Sequence, residues 1–261
     1  MKLVADVGNT NTVFGIWNRG KILKNWRIST GRLETEDEMY VVLKQLLEAG
    51  NVDLKSIEDI CVASVVPRLN SIFHYFGRKY LELDPVLVTA IDGIGVKWDV
   101  DFPSEIGADR VANVIGAHEF YGKDAIVIDT GTAITVDVLK DGAFIGGAIL
   151  PGPMMAMRAL FSKTAKLPEV DLFYVENHIG KNTEDNIRIG VVNGTYYALK
   201  AIISKVKEEL GDKIPVIATG GNSPMFNIGN GFFDILDSDL TLKGIAVFCE
   251  RVRKLEKNSA G

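Results

Sequence analysis

Two eight-residue stretches hold side chains suited to phosphate chemistry. Asp6-Val7-Gly8-Asn9-Thr10-Asn11-Thr12-Val13 and Asp129-Thr130-Gly131-Thr132-Ala133-Ile134-Thr135-Val136 share Asp, Gly, Thr and Val at the same offsets. A phosphate-binding turn needs backbone N–H groups aimed at oxygens, a glycine that lets the backbone come close, and short hydroxyl side chains. Gly8 and Gly131 supply the glycine, and Asn9, Thr10, Thr12, Thr132 and Thr135 the polar groups. An aspartate repels phosphate, so beside such a turn Asp6 or Asp129 serves best by holding a cation. For either aspartate alone a turn-forming or capping role is favoured; the matched pair favours a polyphosphate and its metal clamped from two sides.

A second constellation is Pro103-Ser104-Glu105-Ile106-Gly107-Ala108-Asp109-Arg110, just ahead of a helix-like stretch, Val111 to Phe120. Gly107 and Ala108 let a ligand approach closely. Phosphoryl transfer to an alcohol uses a carboxylate that accepts the hydroxyl proton, and an arginine fork suits an anionic substrate. Asp109 and Arg110 fit those roles, and equally fit a helix N-cap with a surface partner. Gly146-Gly147 and Thr219-Gly220-Gly221-Asn222 are ligand-facing loops or plain turns, and Thr183 is expected to cap a helix. His74, His118 and His178 have no ligand spacing, and Trp17, Trp26 and Trp98 read as core or interface aromatics.

The elements that carry these residues repeat as well. Each turn follows an apolar strand (Lys2 to Ala5; Ala125 to Ile128), runs into a second strand (Val13 to Trp17; Thr135 to Leu139), and meets a hairpin signal, Asn18-Arg19-Gly20 or Lys140-Asp141-Gly142, before a third. A helical pattern over Glu36 to Ala49, a strand over Asp59 to Val66, a helix near Leu69 to Tyr80 and a strand near Val86 follow the first copy. The second copy continues with helices over Met154 to Phe161 and Thr183 to Leu210. Strands over Val216 to Ala218 and Phe232 to Leu236 and a helix from Leu242 to about Lys254 complete it, leaving a frayed tail from Lys257. The expected class is α/β, a duplicated βββαβαβα unit making two similar domains, 1–115 and 116–261, with a ligand cleft between them.

Bulk composition narrows the classes. The chain has 261 residues, 47% hydrophobic and 24% charged, which predicts a packed core rather than disorder. A net charge of −5 argues against a nucleic-acid binder. The start of the chain lacks a signal-peptide pattern and no apolar run is long enough for a bilayer, so a cytoplasmic protein with no membrane partner is expected. Cys61 and Cys249 lie in apolar runs and read as buried small hydrophobes rather than a disulfide or a nucleophile. P-loop, dinucleotide-fold, nucleophile-elbow and protein-kinase signatures are absent.

Asp6 to Thr10, Gly107 to Arg110, Asp129 to Thr135, Gly146-Gly147, Gly180 to Gly190 and Thr219 to Gly221 together closely resemble the type III pantothenate kinase family, within the actin, hexokinase and acetate-and-sugar-kinase superfamily. The resemblance implies two ribonuclease-H-like domains of the actin-like ATPase kind. It implies ATP-dependent phosphorylation of pantothenate to 4′-phosphopantothenate, the first committed step toward coenzyme A. By resemblance, Asp6 to Val13 (Asp6, Val7, Gly8, Asn9, Thr10, Asn11, Thr12, Val13) and Thr132 would bind ATP, with Asp6 placing magnesium. Gly107, Ala108, Asp109 and Arg110 would bind pantothenate, Asp109 as the base and Arg110 through the carboxylate. Asp129 would hold potassium or ammonium, and Thr183 would reach pantothenate across a homodimer interface. Rival readings are a kinase for another small alcohol and a non-catalytic nucleotide-binding accessory protein. The Asp109-Arg110 pair weighs against the latter, since a pure binding module needs no base beside a cation. A chaperone-like or filament protein would need insertions for which the chain lacks room.

Overall fold

The computed structural model describes residues 1–163, 168–228 and 231–259. In chain order come β1 (Lys2–Val7), β2 (Asn11–Asn18), β3 (Lys21–Ser29), α1 (Glu36–Ala49), β4 (Asp59–Ser64), α2 (Pro67–Phe76), β5 (Val86–Leu87), β6 (Lys97–Trp98) and α3 (Ala108–Tyr121). Then follow β7 (Ala125–Thr130), β8 (Ala133–Lys140), β9 (Ala143–Pro151), α4 (Pro153–Lys163), α5 (Thr183–Arg188), α6 (Gly194–Leu210), β10 (Val216–Thr219), α7 (Ser223–Phe226), β11 (Ile235–Leu236) and α8 (Leu240–Ser259).

Packing divides the chain into two units, Met1–Lys123 with Asp141–Ile145 and Asp239–Gly261, and Asp124–Lys140 with Gly146–Ser238. These are not the consecutive stretches 1–115 and 116–261 suggested by the repeat. The last helix, α8, packs on α3 and β1, so it groups with the first unit.

The sheet of the first unit has the order β3-β2-β1-β4-β5. β1 runs antiparallel to β2, with Asp6 opposite Val13, and parallel to β4, with Asp6 opposite Ala63. Leu3, Ala5, Phe14 and Ile16 pack with Met39, Leu43 and Leu47 of α1 and Leu69, Phe73 and Phe76 of α2 in one buried cluster. α1 starts where the sequence tells it to. Thr35 accepts a hydrogen bond from the Glu38 N–H, Glu38 accepts one from the Thr35 N–H, and three acids occupy the first turn. α8 and α3 approach so closely that a side chain on Gly244 would strike the Ala112 carbonyl, and Thr241 donates to the buried Asn113 at 2.8 Å.

In the second unit the strands follow the order β11-β10-β7-β8-β9, the order of the first sheet with each strand replaced by its counterpart. β7 runs antiparallel to β8 and parallel to β10. Ile126, Ile128, Ile134 and Val136 pack against Val191, Val192, Leu199 and Ile203. The opening residues of β9, Ala143 and Phe144, belong to the first unit, where they pair in parallel with Lys97 and Trp98 of β6. The duplicated turn-and-hairpin reading is thus realised as a duplicated topology.

Several expectations need correction. The helix from Thr183 to Leu210 is α5 and α6 joined by a π turn over Ile189–Asn193. The strand over Phe232 to Leu236 shortens to two residues. The final helix runs on to Ser259, and only the end of the expected tail, 260–261, lies outside the described residues. Cys61 and Cys249 are buried as expected but form a disulfide, because β4 and α8 bring residues 188 apart in sequence to a Cα separation of 6.1 Å.

Candidate active site

The first turn is built by β1 and β2 of the first unit. The Gly8 N–H donates to the Asn11 carbonyl at 3.0 Å, closing the chain on itself and leaving Asn9, Thr10 and Asn11 exposed at the tip. Asp6 sits half-buried at the end of β1, while Val7 and Thr12 point inward and are buried. Thr30, one residue past β3, braces the turn. Its N–H donates to the Thr10 carbonyl at 3.0 Å and its hydroxyl to the Gly8 carbonyl at 2.7 Å. Because that hydroxyl spends its proton on Gly8, it accepts from Thr12, 3.0 Å away. The Thr12 hydroxyl is therefore committed to the turn's scaffold.

The Gly107-Ala108-Asp109-Arg110 segment starts α3. Gly107, not Asp109, is the N-cap residue, and it contributes no side-chain cap. Asp109 lies in the first turn. Its carboxylate accepts from the Arg110 N–H at 2.8 Å and lies over Gly107, where an added Cβ would come within 2.6 Å of Asp109 Oδ1. Only glycine leaves this carboxylate its place. The Arg110 guanidinium lies 5.5 Å from the centre of the Phe144 ring, and Trp98 meets Phe144 edge-on at 6.0 Å. The β6–β9 pairing thus supplies an aromatic platform beneath the arginine.

The second unit repeats the turn. The Gly131 N–H donates to the Ala133 carbonyl at 3.0 Å, and Thr132 is exposed at the tip. The Gly152 N–H, from the residue after β9, donates to the Thr132 carbonyl at 3.1 Å, as Thr30 does to Thr10. Asp129 is half-buried beside Gly220, whose φ of +88° and contact with Asp129 Oδ1 both demand glycine. Thr219 pairs with Asp129 across β10 and β7 and is 1% exposed. Its carbonyl accepts the Thr130 hydroxyl at 3.1 Å, but its own buried hydroxyl oxygen has no hydrogen-bond partner among the described residues. Asn222 ties this strand end to the turn, donating to the Thr130 and Gly131 carbonyls.

Thr183 begins α5, exposed, but the cap is Asn182, whose side-chain oxygen accepts the Asp185 N–H at 2.8 Å. Thr183 lines a surface hollow of about 580 Å³ with Pro168, Asn182, Glu184 and Arg188. Glu184 and Asp185, each 3.0 Å from the guanidinium, pair with Arg188.

The first unit therefore carries Asp6, the exposed turn, Asp109 and Arg110. The second carries Asp129, Thr132, Thr219 and, at the surface hollow, Thr183. Sequence reasoning missed Thr30, the Trp98–Phe144 platform and the orphaned Thr219 hydroxyl. The available signal was positional: in each repeat, the residue just past the third strand braces the turn.

The sequence profile of the family described as type III pantothenate kinase matches residues 2–205. A type III pantothenate kinase from Fervidobacterium nodosum is 45% identical over 261 residues, covering 100% of both chains. Among solved structures, the activator of 2-hydroxyisocaproyl-CoA dehydratase from Clostridium difficile with bound ADPNP is 14% identical with a TM-score of 0.55, covering 98% of this chain and 97% of that one. An inorganic polyphosphate/ATP-glucomannokinase from Arthrobacter is also 14% identical, with a TM-score of 0.51 and coverage of 97% and 98%. The two structures share the fold of this chain. The chain belongs to the type III pantothenate kinase family, and its reaction is the ATP-dependent phosphorylation of pantothenate in coenzyme A biosynthesis.

Proposed function

We propose that Asp109 is the general base of this reaction, taking the proton from the pantothenate hydroxyl, and that Arg110 holds the substrate carboxylate. The observation that carries this reading is the carboxylate of Asp109 lying over Gly107 at the open end of α3. There the positive end of the helix dipole favours anionic groups. The Phe144 ring beneath Arg110 fixes the guanidinium's height, and an arginine fork suits a carboxylate. Gly107 and Ala108 leave room for the substrate chain.

Asp6 and the turn through Val13 bind the ATP phosphates, with backbone N–H groups and the exposed Asn9, Thr10 and Asn11 as contacts. Val7, Thr12 and Val13 contribute through the backbone. Oxygen donors beside an exposed turn suit magnesium, which Asp6 would help hold. When bound, magnesium supplies charge neutralisation on the phosphates. Thr132 contacts ATP from the second turn. Asp129 holds the monovalent cation, potassium or ammonium. The orphaned Thr219 hydroxyl supports that assignment, since a buried oxygen without a partner suits a cation ligand.

The working form is a cytoplasmic homodimer, in which Thr183 reaches pantothenate in the partner's site. Exposed apolar side chains on the second unit support dimerisation. They include Ile149 of β9 and Met154, Met155, Leu160 and Phe161 of α4. Among the described residues, no helix is long and apolar enough to cross a membrane.

The test is direct. Protein incubated with ATP, magnesium, potassium and pantothenate should yield a product heavier by one phosphoryl group. The Asp109→Asn variant should yield almost none while still binding ATP.

A further inference from the structure

The Cys61–Cys249 pair is 0% exposed at both residues and joins β4 to α8. Its surroundings suit two chemical states. Asp59, at the start of β4, places Oδ2 3.2 Å from the Cys249 sulfur, the distance of a thiol donating to a carboxylate. The same carboxylate is held by Arg253 at 3.0 and 3.3 Å and approached by Lys2 at 3.5 Å. As dithiol, the pair gains a buried hydrogen bond; as disulfide, it gains a covalent link. A metal fits less well, although Asp59, Cys61 and Cys249 cluster. Two cations already occupy the carboxylate, and two thiolates alone fall short of four ligands.

We propose that Cys61 and Cys249 form a reversible thiol–disulfide clamp that fastens α8, and through it α3, to the sheet of the first unit. In the closing step, two protein thiols and one small-molecule disulfide give the protein disulfide and two small-molecule thiols. Two electrons pass from the cysteine sulfurs to the reagent, whose sulfurs carry away the two protons. The buried sulfurs make exchange wait on an opening of α8, so both directions are slow. The clamp's reach follows from packing. α8 lies so close to α3 that Gly244 meets the Ala112 carbonyl, and Thr241 bonds Asn113. Ala112 and Asn113 are one turn from Asp109 and Arg110, so freeing α8 loosens the start of α3.

The experiment compares the full-length protein equilibrated with oxidised glutathione and with dithiothreitol. Alkylation under denaturing conditions and mass measurement count free thiols. Thermal melting and hydrogen exchange report the clamp. The oxidised protein should have no free thiol and melt roughly 5–15 °C higher. Reduction should speed exchange at least tenfold in α8 and in the first turns of α3. Cys249→Ala should melt identically in both reagents. Two free thiols after oxidation, identical melting and exchange in both redox states, or stoichiometric zinc shielding the thiols would each overturn the clamp. The wild-type comparison stands even if Cys249→Ala fails to fold.

Discussion

The hydroxyl of Thr30 donates to the carbonyl of Gly8 at 2.7 Å, linking the residue after β3 to the turn after β1. That bond is part-buried and its neighbour to Thr12 is buried, so their loss strands a carbonyl and a hydroxyl. Thr30→Val keeps the side chain's shape and removes both. At about 1–3 kcal/mol for stranded buried polar groups, KM for ATP should rise roughly five- to a hundredfold, with KM for pantothenate nearly unchanged. Steady-state kinetics with each substrate varied would check this, and an unchanged KM for ATP would remove Thr30 from the turn's support.

Asp109→Asn tests the base. The amide can still accept the Arg110 N–H bond and occupies the same space over Gly107. The melting temperature and ATP affinity should therefore hold. Turnover should fall by about two to four orders of magnitude, the usual worth of a positioned general base. Single-turnover kinetics with saturating ATP would measure it, and near-normal turnover would move the base elsewhere.

The two turns were legible in the sequence because their requirements are local: an aspartate at a strand end, a glycine, and hydroxyls within seven residues. The repeated strand order was legible for the same reason, since each hairpin announces itself by its own turn residues. What escaped was set by tertiary pairing. Thr30 lies 22 residues from Gly8, and Phe144 reaches Arg110 only because β9 pairs with β6. Cys61 and Cys249 meet across 188 residues, a distance over which composition says nothing about proximity. Asn182 and Thr183 are both able to cap, and only the backbone geometry gave the cap to Asn182.

Asp129→Ala should abolish activation by potassium. Thr219→Val should weaken that activation without unfolding the strand, since the hydroxyl it removes has no hydrogen-bond partner among the described residues. Thr219→Ser should restore it. Turnover measured against potassium chloride, with sodium chloride holding ionic strength constant, separates the cation's effect from that of salt. A normal potassium response in Asp129→Ala would rule out this ligand.

His118 on α3 should give the fold a pH dependence in mild acid. Burial, then the nearby Arg251 and Lys123 charges, hold its imidazole below the ordinary value of 6.5, with Glu119 opposing. Its Nδ1 is buried with no hydrogen-bond partner among the described residues, so the folded state favours the neutral ring. The unfolded chain then binds the proton more readily than the folded one. Stability from this residue is present above pH 6.5 and is lost as pH falls from there through the lower folded value. His118→Gln, which does not titrate, should flatten the fall in melting temperature expected of the wild type as pH drops below 6.5. Melting curves of both proteins across that interval are the check. Parallel curves would mean that other groups set the acid limit and that the His118 proton is bound equally in both states.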